Sequence, residues 1–442
     1  MESATGPAVA ERKGLNLALT VSTNTSYGLS LAGSPSSMHI MRKHRWPLLA
    51  LVLSASMVVR AVSGQQAPAI NDGIRTLVSR LDLQRYKSTI ESLSRFGDRR
   101  QGTRRNRDAV EWIEAQLKSY GCADVERLTY TYVAARDANR DPTPVAPVDA
   151  FKGSGPGGAT VFGRGRRPTV NRDLLKQPDA RIREMNREEP VDGERQEVYC
   201  TKIGATQPDE MYIIGAHMDG HGVNQASNDD ASGTALVMEL ARIFADPNVR
   251  TDRSIRFALW NNEETGHQGA AAYVAQRGPL QGVENPAGSR RYPEPRWLGM
   301  IEHDMMLFDH GAPGLDGRVS PNQRREADVN IEFQSKSAKA SESMALAFVF
   351  RAANEAYATN YPASLGPHMT NTDSNDFMDR VASISLREAE RGSEIGGGWD
   401  PLGHTPRDVF TAYKDEDFRL GLNAAQTTLA ATAQLVGARL VR

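Results

Sequence analysis

Apolar and polar positions alternate along the middle of the chain in blocks that predict strands and helices. Residues 211–216 and 255–260 are apolar runs of strand length, and residues 235–244 between them carry apolar side chains at helical spacing. A strand, a helix and a second strand in this order are typical of an open α/β sheet. We therefore predict an α/β fold, with a mixed, mostly parallel central sheet flanked by helices in a single domain with loop insertions.

The same patterns extend the predicted domain on both sides of this centre. Residues 66–120 have apolar spacing typical of helices, above all in 74–81 and 110–117, and Gly121 is a suitable helix end. Further strands are predicted at 125–133, 197–203, 297–302 and 382–386, and further helices at 338–357 and 418–440. Residues 134–196 are rich in Pro, Gly, Arg and Asp, and we predict a polar insertion there, either partly ordered over the mouth of a site or a disordered loop.

Side chains of the types that bind metals follow the ends of the two central runs. His217 and Asp219 come directly after the first run, and Glu263 and Glu264 follow the second. Asp229 lies between them, in the segment Asn-Asp-Asp-Ala-Ser-Gly. An open α/β sheet builds its site at the carboxyl ends of its strands. Imidazole with several carboxylates, without a thiol, is a ligand set suited to zinc or a similar divalent metal.

The adjacent pair Glu263 and Glu264 has two interpretations. In one, the side chains point in different directions from a turn, so that one carboxylate binds a metal while the other reaches the metal-bound water as a general base. In the other, the pair is solvated at the surface, as most glutamates are. The first is favoured because the pair follows a strand that looks buried, and because the other metal-binding types follow strands in the same way.

Two further ligands complete the constellation. Asp304 follows the predicted strand at 297–302, in the same position relative to its strand as the first histidine. His404 lies in a loop bounded by Gly and Pro, and Asp408, four residues on, could orient a ring or hold the loop. Two histidines and three carboxylates can form two metal sites that share one carboxylate, with the metals about 3.5–4 Å apart.

The order of these motifs resembles a known family. The chain is similar in this order to the co-catalytic zinc aminopeptidases of the bacterial leucyl aminopeptidase type. The motifs that carry the similarity are His-x-Asp, Asp-x-Ala-Ser-Gly, Glu-Glu-x-Gly, a strand-end Asp and a late His-Thr. Their superfamily of zinc metallopeptidases also contains the glutaminyl cyclases. The resemblance covers roughly residues 75–440, with insertions. It implies the zinc-dependent exopeptidase fold and two Zn²⁺ per chain, in place of which Co²⁺ or Mn²⁺ could be bound.

The resemblance also implies a role for each matching residue. The metal ligands would be His217, Asp229, Glu264, Asp304 and His404, with Asp229 bridging the two ions. Glu263 would be the general base, and Asp219 would hydrogen-bond the His217 ring and fix its tautomer. The chain departs from the family pattern at Ser374, after Asp373, where a histidine is common, and the role of Asp373 stays open. The motifs do not identify the oxyanion donor, which could be a backbone amide or a tyrosine elsewhere.

Several neighbours of these residues are open to more than one interpretation. His221 lies in a glycine-rich loop near the site and could touch the substrate. Asp230 could support the bridging ligand or cap the helix that begins near Ser232. For the remaining histidines of interest we expect packing or surface roles, namely His267, His303, His310 and His368. The Pro/Gly-rich loops at 278–296 and 307–326 leave the sheet near the ligands, so we expect them to line the substrate pocket.

Composition indicates an ordinary globular protein and argues against one class of partner. The chain has 442 residues, of which 39% are hydrophobic and 24% charged, enough for a large core. The formal net charge is −1, and no basic stripe with interleaved aromatic residues is present, so nothing indicates nucleic acid. Cys122 and Cys200 are the only cysteines, and in an exported protein they could form one disulfide.

The N-terminal region has the three-part layout of a secretory signal, displaced along the chain. Residues 41–46 are a basic cluster, 47–59 an apolar run of thirteen residues, and 60–65 contain small residues suited to cleavage. We predict a signal peptide at 38–64, and an unstructured segment at 1–37 that precedes a true start at Met38 or Met41. The alternative is an uncleaved membrane anchor, for which the run is short. The mature protein would be secreted or periplasmic.

Together these observations predict an exported metal-dependent aminopeptidase that hydrolyses N-terminal residues of peptides through a bridging hydroxide on two zinc ions. Residues 65–133 would supply the N-terminal helices and first strand of the peptidase domain, and residues 197–442 its catalytic core. A carboxypeptidase or dipeptidase on the same metals stays open, as does a glutaminyl cyclase, which uses a single zinc. A non-catalytic binding protein is less favoured, because all five ligand positions and the base are filled. The expected partners are peptide substrates, without stable membrane association after signal cleavage.

Overall fold

A computed structural model describes residues 71–133, 173–307, 329–367, 371–388 and 402–441, all within one compact unit that spans residues 67–442. Several predictions fall outside the described residues: the unstructured segment 1–37, the signal peptide 38–64, residues 134–172 of the insertion, residues 308–326 of the second Pro/Gly-rich loop, His310 and His368. Among the helices that the structure describes, none is long and apolar enough to cross a membrane.

Eight of the described strands form one sheet. The strands are β1 (Asp124–Tyr132), β2 (Gly193–Lys202), β3 (Gln207–His217), β4 (Val249–Arg250), β5 (Arg253–Trp260), β6 (Arg296–His303), β7 (Val329–Glu332), β8 (Ala363–Gly366), β9 (Ser383–Arg387) and β10 (Arg439–Leu440). The sheet order is β1-β2-β5-β3-β6-β9-β7-β8, while β4 and β10 form a separate pair. Strands β5, β3, β6 and β9 run parallel, and antiparallel pairs flank them on both sides. The predicted mixed, mostly parallel sheet is confirmed.

The helices follow the apolar spacing of the sequence, with polar caps at several starts. They are α1 (Asp72–Val78), α2 (Leu83–Ser94), α3 (Arg104–Ser119), α4 (Ala180–Met185), α5 (Ala231–Ala245), α6 (Gln268–Arg277), α7 (Ala340–Tyr357) and α8 (Asp415–Leu435). The Thr103 side chain, for example, accepts a hydrogen bond from the Asn106 amide at the start of α3. The last helix ends earlier than predicted, because Gly437 adopts a φ of 63° and the chain then pairs with β4.

Alternation along the strands separates two apolar cores on the two faces of the sheet. On β5, Phe257 and Leu259 lie in the larger core, which includes side chains of α1, α2, α3, α5, α7 and α8. Ala258 and Trp260 lie in the smaller core beneath α6. Tyr273 of α6 packs edge to face on Trp260, with ring centroids 5.2 Å apart. Helices on both faces therefore hold the central strands in place and leave their carboxyl ends as a fixed edge.

The loop at 278–296 lies at the end of the sheet opposite to the predicted one. Helix α6, which the sequence analysis did not predict, follows β5 and returns the chain to the amino ends of the parallel strands. There Arg290 donates a hydrogen bond to the carbonyl oxygen of Thr206, directly before β3, at 3.4 Å. The expectation that this loop lines the substrate pocket is therefore wrong, because the crossover helix carries the chain away from the ligand-bearing strand ends.

Cys122 and Cys200 form a disulfide across 78 residues of sequence, which is one of the outcomes that the sequence left open. Since the bond restricts the unfolded chain, replacing both cysteines by alanine should lower the free energy of unfolding by about 2–5 kcal/mol. Denaturant titration measures the difference, and reduced wild-type protein should unfold at the same denaturant concentration as the variant. An unchanged midpoint would show that the disulfide does not stabilise the fold.

Candidate metal centre

The predicted ligands meet at the carboxyl edge of the sheet. His217 is the last residue of β3 and pairs in register with Trp260, the last residue of β5, so Glu263 and Glu264 emerge beside it. Strand β6 ends next to β3 and is directly followed by Asp304. Parallel neighbours that end at the same level thus place an imidazole and carboxylates from three strands side by side.

A first group of ligand atoms is formed by His217, Asp229 and Asp304. Nε2 of His217 lies 3.2 Å from Oδ1 of Asp229 and 3.8 Å from Oδ1 of Asp304. All three side chains are buried, and their ligand atoms lie within 4.8 Å of one another. Atoms bound to one zinc at about 2.0–2.2 Å in a tetrahedral arrangement are about 3.3–3.6 Å apart, so the group has the dimensions that one ion requires.

A second group contains His404, Glu264 and His221. Nε2 of His404 lies 3.4 Å from Oε2 of Glu264, and Nε2 of His221 contacts the same carboxylate oxygen. Nε2 of His404 is also 2.5 Å from Oδ2 of Asp229. Asp229 therefore presents Oδ1 to the first group and Oδ2 to the second. This is the position that a bridging carboxylate takes in a two-metal site.

Two carboxylates hold the segment that carries Asp229. Asp230 caps helix α5 by accepting a hydrogen bond from the Gly233 amide at 2.8 Å, one of the two roles considered from the sequence. Asp408 accepts hydrogen bonds from the three successive amides of residues 227–229, at 3.0, 2.8 and 3.2 Å. Asp408 thus holds a loop, as the sequence suggested, but the loop that it holds carries Asp229 and not His404.

Removal of the Asp408 carboxylate should weaken the site without touching a ligand. Asp408 is fully buried, and in Asp408→Ala the amides of residues 227–229 would lose their acceptor. We expect the free energy of unfolding to fall by about 2–5 kcal/mol, and zinc affinity to fall by about 10–100-fold.

Denaturant titration and competition with a zinc chelator measure the two effects of Asp408→Ala. Tyr413→Phe is the matched control, because it removes only one hydroxyl donor, 3.0 Å from the same carboxylate. Its effects should be smaller in both measurements. Wild-type zinc affinity in Asp408→Ala would contradict the positioning role.

Glu263 and Asp219 are joined through the backbone. Oδ1 of Asp219 accepts a hydrogen bond from the Glu263 amide at 3.1 Å. Nδ1 of His217 lies 3.1 Å from the carbonyl oxygen of Asp219 and 3.7 Å from its carboxylate oxygen Oδ1. The nearest acceptor for the His217 ring is therefore the backbone of Asp219 and not the side chain that the sequence suggested. The carboxylate instead fixes the turn that carries Glu263.

The other described histidines divide into one at the site and one in the core. Nε2 of His267 lies 3.3 Å from Oε1 of Glu263, so the expectation of an ordinary packing or surface role is wrong for His267. In the sequence, only the four-residue spacing between Glu263 and His267 indicates this contact. Nδ1 of His303 donates a hydrogen bond to the carbonyl oxygen of Gly215 at 3.1 Å, and Nε2 lies 2.8 Å from the hydroxyl of Thr428. Burial lowers the pKa of His303 to about 4. Its expected packing role is confirmed.

Asp373 borders the site, although its sequence context left its role open. It is fully buried, and among the described residues neither of its carboxylate oxygens has a hydrogen-bond partner. Burial raises the pKa of Asp373 well above its usual value, and the charges of Glu302 and Glu263 add to the increase. A carboxyl group in this environment is favoured in its neutral form, in which it can donate a proton.

Arg387, which the sequence analysis did not single out, holds one of the ligands. Its guanidinium lies 2.8 Å from Oδ2 of Asp304, leaving Oδ1 toward His217. Burial alone would raise the pKa of Asp304, but the charge of Arg387 and contact with His217 hold it below its usual value. Asp304 is thus kept ionised, which is the form that binds a metal.

The electrostatics of the centre indicate a place for cations. Burial alone would raise the pKa of Asp229, but the facing imidazoles of His404 and His217 hold it well below its usual value. Glu264 differs, because burial and then the charges of Asp229 and Glu263 raise its pKa well above the usual value. Burial opposes protonation of His217, yet the surrounding carboxylates, Glu263 first, raise its pKa well above the ordinary value. The carboxylates therefore repel one another unless positive charge is brought among them.

The residues fit zinc in donor type as well as in charge. Imidazole nitrogens and carboxylate oxygens are zinc ligands, and histidine favours zinc over Mg²⁺ or Ca²⁺. Oε1 of Glu264 is buried without a hydrogen-bond partner among the described residues, which leaves it available to an ion. His217, Asp229 and Asp304 would hold one ion, and Asp229, Glu264 and His404 the other.

Comparison with known proteins finds a peptidase family over part of the chain. Residues 198–380 match the model of peptidase family M28, and this range contains the strands that carry most of the centre. A segment of 71 residues is 32% identical to carboxypeptidase Q of Xenopus laevis. That segment covers 16% of this chain and 15% of the length of that protein.

Solved structures share the fold at low sequence identity. An aminopeptidase from Aneurinibacillus sp. strain AM-1 is 18% identical, with a TM-score of 0.52 over 84% of this chain and 97% of that one. A zinc aminopeptidase from Bacillus subtilis is 15% identical, with a TM-score of 0.51 over 80% and 95%. Glutaminyl cyclase from Porphyromonas gingivalis is 15% identical, with a TM-score of 0.50 over 80% and 99%.

The fold and the ligand groups define the class of zinc metallopeptidases, and the family match agrees with both. The match to the model of peptidase family M28 spans residues 198–380 of the 442 residues. The superfamily that the order of motifs indicated is thereby confirmed.

Proposed function

We propose that this protein is an exported aminopeptidase that uses two zinc ions to remove N-terminal residues from peptides. The observation that carries the proposal is the pair of ligand groups that share Asp229, with the turn of Glu263 fixed beside them. When bound, two zinc ions would polarise a substrate carbonyl and lower the pKa of bound water.

The residues around the metals would orient the attacking water molecule and transfer its proton. Glu263 would accept the proton of the water that attacks the carbonyl carbon, and would pass it to the leaving amine. Asp219 keeps the backbone of Glu263 in place, and His267 restricts its carboxylate from the other side at 3.3 Å. Arg387 keeps Asp304 charged and oriented as a ligand.

A carboxypeptidase or dipeptidase is the second candidate. It is supported by the carboxypeptidase name of the curated relative, although the similarity covers only 16% of the chain. The aminopeptidase assignment is supported by solved neighbours of that name over 80% of the chain or more, which share the fold. A glutaminyl cyclase is less favoured, because such an enzyme uses a single zinc and would not require both groups around Asp229.

Four matched peptides separate these activities. The peptides share one sequence and differ only at their ends. One is unmodified, one is acetylated at the N-terminus, one is amidated at the C-terminus, and one begins with glutamine. An aminopeptidase should cleave the free and amidated peptides and spare the acetylated one. Cleavage of the acetylated peptide with sparing of the amidated one would move the function to a carboxypeptidase, and loss of ammonia from the glutamine peptide would move it to a cyclase.

Export is proposed on two observations. The layout of residues 38–64 is that of a signal peptide, and the disulfide between Cys122 and Cys200 is of a kind that persists in oxidising compartments. N-terminal sequencing of the native protein should find a start close after residue 64. A mature protein that retains Met1 would contradict the signal-peptide assignment.

A further inference from the structure

His221 belongs to the metal centre by position, although the sequence motifs assign it no role there. Its side chain is only 8% exposed, and its Nε2 contacts Oε2 of Glu264. Its ring lies against that of His404, with centroids 3.9 Å apart and planes at 76°. Nitrogen atoms of two imidazoles therefore converge on one carboxylate.

The backbone around His221 is shaped to hold it there. A side chain at Gly220 would place its Cβ 2.7 Å from the carbonyl oxygen of Asp98 and 2.5 Å from Cβ of Ala226, so the loop is packed tightly against its neighbours. Gly222 adopts a φ of 112°, which side-chain-bearing residues rarely adopt. Gly220 thus lets the loop pack closely before His221, and Gly222 turns the chain after it.

We propose that His221 is a fourth protein ligand of the zinc ion held by Asp229, Glu264 and His404. The inference rests on the proposed two-zinc centre and adds a ligand to one of its sites. The ligand atoms of His221, Glu264 and His404 lie within 4.8 Å of one another, as those of the first group do. An ion bound there would have both imidazoles and the Glu264 carboxylate as ligands.

The extra imidazole makes the two sites chemically different. One site has a single histidine, His217, and the other has two, His221 and His404, with Asp229 common to both. Nitrogen ligands favour zinc over magnesium or manganese. The site with two histidines should therefore fill first and discriminate more strongly among divalent metals.

A zinc titration of the metal-free full chain tests the inference independently of activity. Wild-type protein should bind two zinc ions with different affinities in competition with a chelator. In His221→Ala the tighter ion should bind at least about 10-fold more weakly, while the affinity of the other ion changes little. His267→Ala is the control, since His267 contacts Glu263 and lies outside both ligand groups. It should retain both affinities.

A direct count of imidazole ligands completes the experiment. In protein labelled with ¹⁵N-histidine and loaded with ¹¹³Cd, three histidine nitrogens should show coupling to cadmium in wild type and two in His221→Ala. If the alanine variant unfolds, His221→Gln keeps most of the side-chain volume and serves in its place. Two ions bound with unchanged affinity in the variant, or only two coupled histidines in wild type, would overturn the role of His221 and leave the proposed function standing. A wild-type protein that binds no zinc would overturn both.

Discussion

Glu263→Gln should lower kcat by about 10²–10⁴-fold while the zinc content stays that of wild type. The amide keeps the size of the side chain but cannot accept the proton of the attacking water. Glu263 is not part of either ligand group, and its backbone is held by Asp219 in a way that the substitution leaves intact. Steady-state kinetics on a cleaved peptide, with zinc measured in the same preparation, give the result.

The neighbouring glutamate supplies the matched control. Glu264→Gln changes the same chemical group one residue further on, where the side chain lies against His404 and His221. Glu264→Gln should bind zinc more weakly, and excess zinc should restore part of its activity. Excess zinc should not restore the activity of Glu263→Gln. Full activity in Glu263→Gln, or loss of zinc from it, would contradict the division of roles between the two residues.

Asp229→Asn should remove both zinc ions, because Asp229 is the one residue of the described part of the chain that faces both ligand groups. An amide oxygen is a weaker, uncharged ligand, and the amide nitrogen cannot bind a cation. The fall in zinc affinity should exceed the about 10–100-fold that is typical of changes outside the ligand sphere, and should affect both ions. Zinc content after dialysis against a defined chelator measures it.

The control for this substitution is again the next residue. Asp230→Asn keeps a good helix-capping side chain at the start of α5 and should keep both zinc ions. If Asp229→Asn loses one ion and holds the other at wild-type affinity, the bridging role is contradicted. If Asp230→Asn loses zinc as well, the effect belongs to the segment as a whole and not to a bridging carboxylate.

The ligands at strand ends could be predicted from the sequence because local pattern determines their position. His217, Glu264 and Asp304 each follow an apolar run, and parallel strands bring the ends of such runs to one edge. The same logic failed for the loop at 278–296. Helix α6 before it is rich in alanine and has few large apolar residues, so apolar spacing does not reveal the crossover that carries the loop to the other end of the sheet.

Residues whose place depends on distant segments could not be predicted in the same way. Asp408 holds the amides of residues 227–229 from about 180 residues away in sequence, and Arg387 reaches Asp304 from another strand. His221 lies between Gly220, where the loop packs closely, and Gly222, where the chain turns at a positive φ. Such contacts arise from packing of the whole domain, and no local periodicity marks them.

The most direct test of the account is a titration of zinc into the metal-free protein, with bound zinc and hydrolysis of a peptide with a free N-terminus followed together. The account predicts no hydrolysis without metal, two zinc ions per chain at saturation, and full activity only when both sites are filled. Hydrolysis that persists at full rate without metal, or a folded protein that binds no zinc, would contradict it.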